Sequence, residues 1–192
     1  MRKYAVFILS HGRADRVYTL KTLQKCGYTG DWYVVCDNED RMLSEYKRRF
    51  KDRVLVFAKD EAAKMFDMMD NFEGRNVVVF ARNYVFRLAK ELGLTHFVVL
   101  DDDYTEFEYN FVINERRLRK RIKKLDDVFE LMFEMLDNTG ALTVAFAQTG
   151  DFVGGINDFM KKGFKRKAMN AFFFRTDRVV EFMGRLNEDV NM

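Results

Sequence analysis

Residues 97–111 read FVVLDDDYTEFEYNF, an apolar run that stops at three adjacent carboxylates, Asp101, Asp102 and Asp103. Phe97, Val98, Val99 and Leu100 form the short apolar run of a strand buried on both faces, which implies a mainly parallel sheet with helices on each side. Loops at the carboxyl edge of such a sheet are where ligands bind. Side chains at i and i+2 of extended chain share a face, about 6–7 Å apart, so Asp101 and Asp103 point one way and Asp102 the other. Carboxylates converging on one side need a cation or hydrogen-bond donors between them. A Mg²⁺ or Mn²⁺ ion shared with substrate phosphate oxygens answers that need. From these three residues alone, a solvated acidic turn after a core strand is the alternative.

Upstream, residues 4–9 (YAVFIL), 32–36 (WYVVC) and 54–57 (VLVF) read as three more strands. Between them the pattern predicts one helix capped by Asp15 and running to about residue 25, and a second over about 40–50. Residues 60–72 form a Met-rich amphipathic segment whose plain reading is a helix packing Ala63, Met65, Phe66 and Met69 on the sheet. Residues 76–80 (NVVVF) are either a short strand or extended chain feeding a helix over about 82–92, which Gly93 ends. The order is βαβαβ, with parallel pairing and right-handed crossovers expected. The absence of G-x-G-x-x-G after the first strand, and of any G-x-x-x-x-G-K-[ST], argues against dinucleotide enzymes and P-loop ATPases.

Downstream, Asn114 is expected to cap a long helix over about 115–138, because Leu118, Ile122, Leu125, Phe129, Met132 and Leu136 step by three and four. A strand at 143–147, a glycine-containing loop at 151–158, a basic connector at 161–167, a strand at 171–174 and a helix from Thr176 to about Gly184 complete the chain. The 192 residues, 48% of them apolar, suit one domain with its own core and exclude a disordered segment. No apolar run is long enough to span a bilayer, and the apolar start reads as a strand rather than a signal peptide. Cys26 and Cys36 lack metal-ligand spacing with His11 or His96 and read as reduced thiols of a cytoplasmic protein. A net charge of only +3 means that any nucleic-acid argument rests on where the positive charge sits.

Taken in order, ILSHGRADR (residues 8–16), VVCDNED, FARNYVF, VVLDDDY and NAFFFRTDRVVEFMGRLNEDVN resemble a nucleotide-sugar glycosyltransferase of the GT-A fold, family-2 type. ILSHGRADR, GYTGDWYVVCDNED and AKELGLTHFVVLDDDYTEF are most similar to the TET-associated glycosyltransferases of bacteriophages, which act on hydroxymethylated pyrimidines in DNA. The resemblance spans nearly the whole chain. It implies an α/β, Rossmann-like three-layer sandwich with a mixed, mainly parallel sheet, residues 1–110 holding the nucleotide-sugar and 111–192 serving the acceptor. It further implies a UDP-sugar donor and a Mn²⁺ or Mg²⁺ ion on Asp101 and Asp103. Ser10, His11, Arg13, Asp37, Arg82, Asn83, Asp101 and Asp102 would face the donor, Asp37 reading uracil or ribose. An Asx turn closing its own loop is the other use of Asp37. Arg13 and Arg82 are either helpers for the charge growing on the leaving diphosphate or surface salt bridges. Asp189 matches the general base of inverting members, with Glu188 as base or neighbour; a solvated acidic terminus is the alternative. Because family members usually continue past this point, a truncated or compact acceptor side is expected.

Seven of the nine residues from Arg116 to Lys124 are basic: Arg116, Arg117, Arg119, Lys120, Arg121, Lys123 and Lys124. On the expected helix they sit in the first turns, where the macrodipole disfavours cations, which suggests an external anion. A second basic run, Lys161, Lys162, Lys165, Arg166 and Lys167, carries Phe164 inside it. Together they make DNA the expected acceptor, against a solvated basic face. A polysaccharide, lipid or protein acceptor, or a non-catalytic nucleic-acid-binding module, are the competing functions.

Overall fold

Short β-branched and aromatic runs alternate with amphipathic stretches over the first hundred residues, and these runs form strands. The computed structural model describes residues 2–72, 74–75, 77–114, 116–148 and 168–185. Strands β1 (Tyr4–Leu9), β2 (Asp31–Asp37), β3 (Val54–Phe57) and β4 (His96–Asp101) alternate with helices α1 (Tyr18–Lys25), α2 (Leu43–Phe50), α3 (Lys59–Met65) and α4 (Val79–Glu91). Then come β5 (Glu108–Ile113), β6 (Arg116–Arg121), α5 (Leu125–Thr139), β7 (Thr143–Ala145) and β8 (Phe172–Arg175). Six strands form one sheet in the order β3-β2-β1-β4-β8-β7. β1 to β4 are mutually parallel, while β8 runs against both β4 and β7. The result is the mixed, mainly parallel sandwich expected of a GT-A-type fold.

Each face of the sheet has its own core because the central strands carry apolar residues on both faces. Ala5, Phe7, Leu9, Phe97 and Val99 pack under α3 and α4, while Val6, Ile8, Val98 and Leu100 pack under α1, α2 and α5. β8 repeats the device: Phe172 and Phe174 enter the first core, Phe173 the second, and all three are fully buried. At about 1.5–3 kcal/mol per buried Phe, this strand is a large part of what joins the two halves of the chain.

Five expectations on the described residues are corrected. Helix α1 begins at Tyr18 and Asp15 does not cap it, because residues 13–18 make tight turns first (Arg16 N–H to the Arg13 carbonyl, 2.8 Å). α3 stops at Met65, so Met65 and Met69 lie exposed instead of packing on the sheet. No strand forms at 77–80; α4 starts at Val79. The long helix over 115–138 is instead a hairpin followed by α5. Tyr109–Ile113 is rich in the aromatic and β-branched residues that favour strands, and the basic run that opposed a helix dipole there lies in β6, whereas α5 opens with Asp126 and Asp127, which favour the dipole. Last, no helix runs from Thr176 among the described residues: after a turn the chain takes no regular secondary structure over 179–183, with Val180 and Phe182 buried in the core that α4 covers. The loop at 151–158 and the connector at 161–167 lie outside the described residues.

At the amino edge of β4 a charged cluster ties α5 to the sheet. The Asp137 carboxylate accepts from Arg2 (3.0 Å) and Arg175 (2.6 Å) and pairs with the ring of His96 (3.0 Å). Burial pushes the Asp137 carboxyl up, but the bonds from His96, Arg175 and Arg2 outweigh it and hold the group well below the usual carboxylate range. A depressed native value stabilises the fold above the unfolded value of about 3.9 and is lost as pH falls through the native value. Asp137→Asn is therefore expected to lower stability at pH 7 by about 1–3 kcal/mol, the partial exposure discounted. It should also flatten the acid fall in melting temperature between about pH 5 and pH 2. Thermal melts across that range check both.

Candidate active site

The parallel register brings four strand ends to one edge. Leu9 lies opposite both Val35 and Asp101, and Asp37 lies opposite Phe57, so Ser10, Asp37, the residues after Phe57 and the carboxylate turn open on common ground. A cavity of about 340 Å³ occupies that edge, lined among others by Ser10, His11, Arg13, Asp37, Arg82 and all three carboxylates of the turn. Four carboxylates (Asp37, Asp101, Asp102, Asp103) and three cations (Arg13, Lys59, Arg82) share its wall.

The three neighbouring aspartates have different surroundings. Asp102 is buried and both its oxygens are engaged: Ser10 donates to Oδ2 (2.5 Å) and Arg13 to Oδ1 (3.0 Å). Behind it the Tyr46 hydroxyl accepts from the Arg13 backbone N–H (2.9 Å) and pairs with Ser10 (2.6 Å). Burial is the main reason the Tyr46 phenol is pushed up to about 12, so it stays a neutral donor and acceptor. Asp102 thus ties the loop after β1 to the loop after β4. Asp101 is partly exposed, 3.7 Å from the Arg82 guanidinium, and Asp103 is exposed, with Arg13 at 3.8 Å. Thr19, on the first turn of α1, holds their backbone: its hydroxyl donates to the Asp101 carbonyl (2.6 Å) and accepts from the Tyr104 N–H (2.9 Å).

Asp37 serves its loop and the cavity at once. Oδ1 accepts from the Glu39 N–H (3.1 Å), an Asx turn, and meets Lys59 Nζ at 3.5 Å, while Oδ2 bonds His11 Nδ1 (2.8 Å). His11, Asp37 and Asp40 place ligand atoms within 4.8 Å of one another, a combination that could hold a metal ion. The Asp40 oxygens, however, already accept backbone N–H bonds from Gly12 and Met42, both at 2.7 Å. Gly12, at φ +66°, supplies the left-handed turn this approach requires. Asp101 and Asp103 put two further carboxylates on the cavity, oxygen donors of the kind Mg²⁺ or Mn²⁺ prefers.

Arg82 is not a surface salt bridge. It is buried, donates to Asn170 (2.8 Å) and lies over the rings of Phe172 and Phe182. Asn83, one residue on, faces away from the cavity and spends both ends of its amide on the backbone of Phe182. Arg116, Arg117, Arg119 and Lys120 lie on β6 and Lys123 just beyond it, outside the cavity wall. Glu188, Asp189, Lys165 and Arg166 lie outside the described residues.

Lys59, Asp40 and Tyr46 escape sequence reasoning. The available signal for Lys59 was its place two residues past Phe57, at the same sheet edge as the carboxylates; Tyr46 reads simply as a core position of α2. Cys36 also lines the cavity, its thiol pushed up to about 12 chiefly by burial, and both cysteines are buried and free.

Among the described residues no helix is long and apolar enough to cross a membrane. No curated protein matches the chain. The model of the family described as TET-Associated Glycosyltransferase matches residues 4–192, so the chain belongs to that family and is a glycosyltransferase.

Proposed function

From that membership we propose that the enzyme transfers a sugar from a UDP-sugar to the hydroxymethyl group of a modified pyrimidine in DNA, with a Mg²⁺ or Mn²⁺ ion. The observation that carries this is the convergence of Asp37, Arg82 and the three carboxylates on one cavity at the carboxyl edge of the sheet. A cavity of a few hundred Å³ is of the size that takes a small organic ligand.

In the reaction the bond from the sugar's anomeric carbon to the donor diphosphate breaks, the electron pair leaving with UDP. A bond from the same carbon to the hydroxymethyl oxygen forms, and the hydroxyl proton passes to a base. Asp37 and Lys59 offer an acceptor and a donor to the uracil and ribose. Asp101 and Asp103 would hold the divalent ion, whose charge offsets that of the departing diphosphate. Arg13 and Arg82 add positive charge to the same wall, the kind of aimed electrostatic help that is typically the largest catalytic contribution. Asp189 is the base this reading assigns, with Glu188 beside it; carboxylates are weak bases, so positioning would be its main asset.

Incubation with UDP-sugars, Mn²⁺ and hydroxymethylcytosine DNA is expected to add the mass of one hexose or pentose to the base, read by nucleoside mass spectrometry. Unmodified DNA with every donor, alongside stabilisation by UDP, would leave a glycosyltransferase with another acceptor. The absence of UDP stabilisation as well would overturn the donor too.

A further inference from the structure

On the far side of Asp103 the protein opens a second groove, of about 490 Å³, and Asp103 lines both. We propose that this second groove holds the acceptor nucleotide, with Arg117 and Arg119 of the hairpin on its flanking phosphates; this rests on the DNA acceptor of the preceding section.

Three features carry it. First, a transferred sugar must sit between donor and acceptor, and Asp103 is the carboxylate at the junction of the two spaces. Second, the groove has an aromatic floor. The rings of Tyr104 and Phe107 are stacked at 5.4 Å with only 20° between them, and Phe146 stands 5.9 Å from Phe107. Flat apolar rings with the amides of Asn110 and Gln148 nearby suit a pyrimidine, which offers a π face and a hydrogen-bonding edge.

Third, the wall is basic. In the hairpin register Asn110 faces Arg119 and Val112 faces Arg117, which puts both arginines on one side of the ribbon, and that side lines the groove. Arg117 donates twice to Asn110 Oδ1 (3.0 and 2.8 Å), and Arg119 lies 3.4 Å from Glu108. β6 carries five cations in six residues while β5 has one acid, Glu108, and among the described residues the ribbon pairs with no strand of the main sheet. An isolated two-stranded ribbon is marginal in water, and self-repelling charge weakens it further. A polyphosphate backbone is opposite in charge to β6, and a major groove admits a two-stranded ribbon. A base inside a duplex must leave the stack for chemistry at a buried site, at a cost of a few kcal/mol that such contacts can offset.

The test is fluorescence anisotropy of a labelled duplex containing one 5-hydroxymethylcytosine, over a range of salt, with wild type and the Arg117→Ala/Arg119→Ala double variant. The double variant should bind at least ~10-fold more weakly at low salt, and its log–log salt slope should drop by about 1.8, or 0.9 per lost phosphate contact. UDP should stabilise both proteins alike, showing that fold and donor cavity are intact. With 5-iodo-deoxyuridine at the target position, irradiation should cross-link residues 104–110. Equal affinity and slope in the two proteins, or a cross-link wholly outside the groove, would overturn the placement while DNA binding by wild type stands. If wild type itself does not bind DNA at low salt, the acceptor reading falls and this inference with it.

Discussion

Asp101→Asn and Asp103→Asn are each expected to lower kcat for sugar transfer by at least ~10²-fold while leaving the melting temperature within about 2 °C of wild type. The rate effect follows from charge. Both substitutions keep the shape of the side chain and remove an anion from the cavity wall, and aimed electrostatic groups of this kind are worth about 10²–10³ in rate. The small stability effect follows from exposure: Asp103 stands in solvent and Asp101 is partly open. If the two aspartates hold the ion, stabilisation by UDP plus Mn²⁺ should fall in both variants, whereas any stabilisation by UDP alone should persist. Asp102→Asn should behave in the opposite sense. Its carboxylate is buried under Ser10 and Arg13, so stability is lost first and activity only as a consequence. Full activity in Asp101→Asn and Asp103→Asn with metal present would remove the metal role from the turn and return attention to His11, Asp37 and Asp40.

Asn83→Leu is expected to produce the largest loss of stability outside the aromatic core. The Asn83 amide donates to the Phe182 carbonyl at 2.8 Å and accepts from the Phe182 N–H at 2.7 Å, and all of these groups are buried. A leucine of similar size leaves both backbone groups without a partner, at about 1–3 kcal/mol each. Taking about 2–4 kcal/mol in total, the melting temperature of a chain this long should fall by roughly 4–16 °C. Asn83→Asp, which keeps the acceptor and loses the donor, should fall between the two. UDP affinity of the folded protein should change by no more than about twofold; a tenfold loss with unchanged stability would instead put Asn83 in the donor site.

The contrast between these neighbours shows how far local pattern reaches. Ala-Arg-Asn before a helix reads as one functional unit, yet Arg82 turns to Asp101 and the cavity while Asn83 turns to a segment ninety-nine residues away. A helix separates adjacent side chains by about 100°, and what each then meets depends on elements remote in sequence. The basic stretch tells the same story differently. Leu118, Ile122 and Leu125 step like a helix, but the β-forming run Tyr109–Ile113 wins because a strand partner lies just across the turn, with Ile113 opposite Arg116. Asn114, at φ +49°, suits that turn better than a cap. The misfit between seven cations and a helix dipole was already visible in the residues and pointed away from the helix.

By itself the amino-acid sequence determined the sheet and its edge: runs such as YAVFIL, WYVVC, FVVL and AFFF are buried on both faces wherever they lie, and carboxylates that end them must gather at the carboxyl side. Only the tertiary structure decided which carboxylate is consumed in holding loops together and which are left on the cavity. It also decided that Lys59 joins them, that β5 and β6 form a sheet of their own, and that no helix follows β8 among the described residues. The reason is physical. Burial of an apolar run depends on the run itself, whereas the partner of a polar side chain is set by register and packing between distant segments.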